Sequence, residues 1–175
     1  MGLFSRKKKD NLPETTFSFV QAPGFKGFKR ITLNAQENEQ AISDINSIKK
    51  PNPKYVESPD IYVVPKGYNI SSYPINKYLF NIKNETISIL VTTKDRLPFM
   101  YVYVAGCLIG TLTPDAEDQK RIEFYNGLIS NKVEAIHVRI ETHMHNKNCV
   151  GEHGKTVVVS EERFKTYLFY KIKEE

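Results

Sequence analysis

The sequence predicts an α+β fold: a largely antiparallel curled sheet or small β-barrel carrying two helices. Three observations support this class. Ten Phe and ten Tyr in 175 residues, with 40% hydrophobic residues overall, supply a core that leans toward strands. Roughly seven or eight short runs are apolar or alternate at a period of two, whereas only two carry helix start signals. Strands and helices do not alternate along the chain, which disfavours a parallel doubly wound sheet.

Residues 1–14 are expected to form a flexible basic leader and residues 15–175 one β-rich domain. That domain divides into an N-terminal subdomain (15–90) and a ββαβ core with a C-terminal hairpin (91–175). Thr15 to Val20 alternates weakly and reads as the first strand. Gly24-Phe-Lys-Gly-Phe-Lys-Arg30 repeats Gly-Phe-Lys and leads into a short strand at Ile31 to Leu33. Asn34 is expected to cap a helix from Ala35 to Lys49, with Glu37 at the N3 position of a capping box. Ala41, Ile42, Ile45 and Ile48 share one face of it, and Pro51 and Pro53 stop it.

Beyond Pro53, Ile61 to Val64 reads as a short strand. Leu79 to Ile82 and Thr86 to Thr92 read as two more, joined across Asn84-Glu85, with Thr92 to Pro98 a polar connection. Phe99 to Val104 is aromatic and β-branched, Ala105-Gly106 supplies a turn, and Cys107 to Leu112 returns. Thr113, Pro114 and Asp115 read as N-cap, N1 proline and first-turn acid of a second helix ending near Asn126-Gly127. Val133 to Ile140 alternates as a strand, His143 to Gly154 reads as a long polar hairpin loop, and Lys155 to Ser160 as a strand. Phe164, Thr166, Leu168, Tyr170 and Ile172 then share one side of a last strand.

The net charge of +5 describes mostly the leader. Arg6, Lys7, Lys8 and Lys9 supply four cations, leaving 21 basic against 20 acidic residues. Phosphate binding would therefore need a local patch rather than the global balance. No apolar run approaches the ~20 residues of a spanning helix, so no transmembrane segment is expected. Two cysteines in a chain without an apolar leader point to a reducing, cytoplasmic setting.

Catalytic patterns are absent: no phosphate-loop or dinucleotide glycine pattern, no G-x-S-x-G, and no cationic neighbour in sequence to activate Cys107. The chain is expected to be non-enzymatic and to carry no cofactor. His143, His145, Cys149 and His153 are of zinc-ligating type, but their spacing matches no standard knuckle or finger. A polar hairpin tip without metal is the expectation there.

The binding candidates are Phe25, Lys26, Phe28, Lys29 and Arg30, with Tyr101 and Tyr103 on one face of a strand. Rings interleaved with cations suit single-stranded DNA or RNA, because bases stack on rings while cations meet phosphates. The competing reading has Phe25 and Phe28 anchoring a strand in the core, with the lysines as its solvated side.

Tyr101-Val-Tyr-Val-Ala-Gly-Cys-Leu-Ile-Gly-Thr-Leu-Thr-Pro-Asp-Ala116 resembles the central segment of HIRAN domains. These are small β-barrel modules that occur alone in bacteria and phages, or attached to helicase-like and nuclease proteins. The corresponding features are Val102 to Val104, Gly106, Ile109 to Leu112, Pro114 to Ala116 and Glu134 to Ile140, within residues 99–141. The resemblance implies a β-barrel and binding of nucleic-acid ends. Where the family places an Arg-Glu-x-x-Asn-x-x-Asp-type loop before this unit, the chain has Lys94-Asp-Arg-Leu-Pro98, so the family's pocket residues do not carry over. The function expected is a small binding module for nucleic acid, single-stranded or at an end. The alternative is a protein-interaction or assembly module.

Overall fold

A computed structural model describes residues 14–53 and 78–175. The leader and the strand expected at Ile61 to Val64 lie outside the described residues. In chain order the elements are β1 (Thr15–Val20), β2 (Lys29–Leu33), α1 (Glu39–Ile48), β3 (Lys49–Pro51), β4 (Tyr78–Phe80), β5 (Thr86–Lys94) and β6 (Leu97–Val104). β7 (Cys107–Leu112), α2 (Gln119–Ile129), β8 (Val133–Val150) and β9 (Thr156–Ile172) complete them.

The class is α+β with antiparallel sheets. One sheet runs β1-β5-β6-β7, a second β2-β9-β8, and β3 pairs with β4 alone. Isolated bridges join the two larger sheets at both margins, Gln21 to Ile136 and Asn34 to Thr111. The sheets thus curl around one core without a continuous ladder closing them into a barrel. Alternation decides which residues enter it: Ile87, Ile89 and Val91 of β5, Met100, Val102 and Val104 of β6, Ile136 and Val138 of β8, and Leu168 and Tyr170 of β9 are all buried. The boundary expected between residues 90 and 91 falls inside β5, and β2 pairs with β9 across it.

Both helices begin later than the sequence suggested, for the same reason. Asn38 caps α1, its Oδ1 accepting from Ala41 N at 3.0 Å, while the Asn34 backbone exchanges two hydrogen bonds with Thr111. Asp118 caps α2, accepting from Lys120 N, and Asp115 is occupied in a turn that accepts from Glu117 N. At α1 the expected cap Asn34 is held in the bridge to Thr111. At α2 the segment expected to open the helix after the Thr113 cap instead enters a turn closed by Asp118 N on Asp115 O. Each helix therefore starts at a cap-type residue further on. α2 continues through Gly127 to Ile129, with Gly127 buried against the side-chain ends of Ile172 and Val133 rather than ending the helix.

Three connections also differ. Asp95-Arg96, both at positive φ, make a two-residue turn, so β5 and β6 run on through residues read as a loop. β4 pairs with β3 rather than with β5. The expected loop at His143 to Gly154 is mostly strand: β8 pairs with β9 out to Val150 opposite Thr156, and only 151–155 make the connection. Its ladder satisfies the backbone without needing an apolar alternation in His143 to Asn148, so periodicity could not reveal it.

Candidate nucleic-acid interface

The Gly-Phe-Lys repeat folds as a turn. Phe28 N donates to Phe25 O at 3.0 Å, and Gly27 takes the positive φ of 81° that the third position of such a turn requires. The strap that leads into it is fastened to the edge of β8. Ala22 N donates to Ile136 O, and the Gln21 side chain imitates a peptide group, donating to Val138 O at 2.9 Å and accepting from Val138 N at 3.0 Å. His137 Nδ1 lies 2.8 Å from Ala22 O. A carbonyl oxygen only accepts, so Nδ1 carries the proton.

This fastening lays Phe25 on the outer face of the β2-β9-β8 sheet. Its ring centroid is 4.3 Å from Phe169 and 4.9 Å from His137. Phe169 is 8% exposed, so Phe25 acts as its cover. The Arg139 guanidinium stands 5.4 Å from the Phe25 centroid and that of Arg30 5.1 Å from the Tyr167 centroid. Arg139 also pairs with Glu141 at 2.9 Å, whereas Arg30 and Lys26 are exposed and make no ion pair among the described residues. A cleft of about 300 Å³ adjoins this face, with His137, Arg139 and Lys83 in its walls.

Not every expected residue joins this surface. Lys29 and Arg30 are neighbours on a strand and so point to opposite faces. Lys29 Nζ lies 2.6 Å and 2.7 Å from the two Glu123 oxygens, and Tyr170, buried beneath α2, donates its hydroxyl to Glu123 Oε2. The Lys29 and Tyr170 hydrogen bonds hold the Glu123 carboxyl below its ordinary value. Burial, followed by the hydrogen bond to Glu123, pushes the Tyr170 phenol well up. Phe28 is half-buried beside the turn. Tyr101 and Tyr103 lie on the other sheet, half-buried, with Tyr101 edge-on to Phe99 at 5.0 Å. They do not meet Phe25 or Arg30.

Four ring and cation residues of the surface escaped the sequence reading: His137, Arg139, Tyr167 and Phe169. The signal was available in the alternation itself. Once Val138 and Leu168 are assigned inward, His137, Arg139, Tyr167 and Phe169 fall outward on two adjacent strands. His143, His145 and Cys149 lie along β8, where their side chains fall outside the described residues; His153 is exposed in the turn at positive φ. Among the described residues no group of His, Cys, Asp and Glu is placed to hold a metal ion. Among them, too, no helix is long and apolar enough to cross a membrane. No family model, curated protein or solved structure matches the chain.

Proposed function

We propose that the chain is a non-enzymatic, HIRAN-like module that binds single-stranded nucleic acid or its ends in the cytoplasm. The outer face of the β2-β9-β8 sheet is its contact surface. The observation that carries this reading is that Arg30 and Arg139 each stand against an aromatic ring on one face, Tyr167 and Phe25. Guanidiniums so placed meet phosphates while the exposed sides of the rings accept bases, at ~1–3 kcal/mol per stacked base. The resemblance of Tyr101 to Ala116 to HIRAN domains supports the same ligand class.

Labelled single strands, blunt duplexes and recessed ends titrated over a salt series test it. Binding should weaken steeply with salt, with a slope of about −0.7 per phosphate contacted on a single strand. Arg30→Glu and Arg139→Glu should each weaken binding by roughly tenfold or more. Lys29→Gln should do far less, because Lys29 lies on the opposite face of β2, turned to Glu123. Deleting Arg6 to Lys9 should also cost less than either reversal. Absence of binding at low salt would overturn the reading in favour of a protein-interaction module.

A further inference from the structure

A second cleft, of about 290 Å³, opens where the first turns of α1 and α2 meet the ends of β6 and β7. Its volume lies at the lower end of small-molecule pockets, roughly 300–1,000 Å³, too small for an oligomer. Its walls are rich in hydrogen-bond donors. The Lys94 ammonium sits 5.1 Å from the centroid of Phe99 and makes no ion pair among the described residues. Arg121 donates through Nη2 to Thr32 O at 3.3 Å, and its Nε, 3.2 Å from Asp118 Oδ2, completes no hydrogen bond. Asn38 Oδ1 already accepts from Ala41 N, and its amide group adds two donors to the lining. Thr113 also lines the cleft.

One wall has the opposite character. The Glu37 carboxylate accepts from Asn34 Nδ2 at 3.3 Å, which leaves its other oxygen able to accept from a hydroxyl. A purely anionic ligand would be repelled there, whereas a hydroxyl-bearing one would not. The Phe99 ring completes the lining, with the Lys94 ammonium 5.1 Å from its centroid and Tyr101 edge-on at 5.0 Å.

We infer that this cleft binds a sugar phosphate, with the phosphate on Lys94, Arg121 and Thr113 and a sugar hydroxyl on Glu37. The site is separate from the outer face assigned to nucleic acid and stands on different residues. Arg121 is already paired with Asp118, so Lys94 is the cation left uncompensated in this cleft. A phosphate supplies its acceptors, and with the Glu37 carboxylate also in the lining the cleft suits a ligand that is anionic at one end only.

Calorimetric titration of the full chain with ribose 5-phosphate, ribose, inorganic phosphate and adenosine 5′-monophosphate tests the assignment. Ribose 5-phosphate should bind, inorganic phosphate roughly tenfold more weakly, and ribose not measurably. Adenosine 5′-monophosphate should bind within about threefold of ribose 5-phosphate, because the contacts assigned are to the phosphate and the sugar alone. Lys94→Gln, an exposed position whose loss should leave thermal unfolding unchanged, should weaken ribose 5-phosphate by roughly tenfold or more, and Thr113→Val should weaken it severalfold. No binding of ribose 5-phosphate at about 10 mM would overturn the proposal, since that concentration reveals even affinities weaker than ~1 mM. So would affinity unaltered by both substitutions, or ribose binding as tightly as its phosphate. Adenosine 5′-monophosphate bound more than about tenfold tighter would overturn the sugar-phosphate assignment in favour of base recognition.

Discussion

Replacing Gly110 with Ala should be among the most damaging single-methyl changes in this protein. Gly110 lies on β7 beside the Asn34–Thr111 bridge that joins the two large sheets at one margin. A Cβ there would stand 2.7 Å from Leu33 Cβ, 3.1 Å from Asn34 O and 3.1 Å from Thr166 Oγ1. Carbon atoms settle at about 3.5–4.0 Å, so Leu33 would have to retreat by roughly 1 Å. Leu33 Cβ and Asn34 O are fixed to the backbone of β2 and its continuation, so no rotamer change gives that space. Relief requires the strands to part, which stretches the paired bonds Asn34 N to Thr111 O (2.9 Å) and Thr111 N to Asn34 O (2.8 Å). Overpacking costs ~1–3 kcal/mol, and weakening two hydrogen bonds adds about 1 kcal/mol each. The expected loss is about 3–5 kcal/mol, or a Tm lower by roughly 6–20 °C for a chain of this length.

Urea and thermal unfolding followed by circular dichroism measure this directly, since the chain has no Trp to report by fluorescence. The control is Gly127→Ala. Its new Cβ would meet Ile172 Cδ1 at 2.7 Å and Val133 Cγ2 at 3.2 Å, both ends of side chains. Ala also gains ~0.5–1 kcal/mol of helix propensity over Gly, so the net change should stay within about 1 kcal/mol. A Gly110→Ala loss under about 0.5 kcal/mol would refute the close seam between β7 and β2.

Asn38→Ala should cost about 1 kcal/mol through loss of the α1 cap, and Asn34→Ala clearly less, because the Asn34 bridge to Thr111 uses backbone atoms; urea midpoints separate the two. Glu123 has its folded pKa lowered, chiefly by the Lys29 hydrogen bond, so its stabilisation is present above the unfolded value of about 4.3 and is lost as pH falls through the lowered one. Comparing unfolding of the native protein and Glu123→Gln between about pH 5 and pH 2 should show the variant with the shallower acid loss, by under about 1 kcal/mol because the pair is more than a third exposed. Phe25→Ala should uncover Phe169 and loosen the strap, costing roughly 1–3 kcal/mol, less than a fully buried Phe; amide exchange at Ala22 should accelerate with it.

Alternation made the strands readable because each large sheet buries one face, so residues such as Ile87, Val102, Val138 and Leu168 had to recur at every second position. Pairing was a different matter. β1 joins β5 and β2 joins β9, contacts between segments far apart in sequence, and no local pattern names such a partner. Helix starts were misplaced because Asn34 and Thr113 have the right chemistry for caps, but Asn34 is held in a bridge and the residues after Thr113 enter the Asp115–Asp118 turn. Which oxygen is left to cap a helix depends on tertiary contacts.

The candidate surface was legible only in part, and the reason lies in how a strand distributes its side chains. Phe25, Lys26 and Arg30 were found because they sit together in sequence. Arg139, Tyr167 and Phe169 reach the same surface from two other strands, at positions whose inward neighbours drew the attention. The distribution also constrains any binding there. Phe169 is covered by Phe25, so it offers no ring to a ligand, and the inner side of Phe25 is spent on that cover. Binding energy at this face must therefore come from Arg30, Arg139, the Tyr167 ring and the outer side of Phe25. In the proposed binding Phe25 would serve fold and ligand at once, whereas exposed Arg30 would serve the ligand with little part in the core. Loss of affinity at Arg30→Glu without loss of stability consequently separates recognition from scaffolding, which no substitution at Phe25 can do.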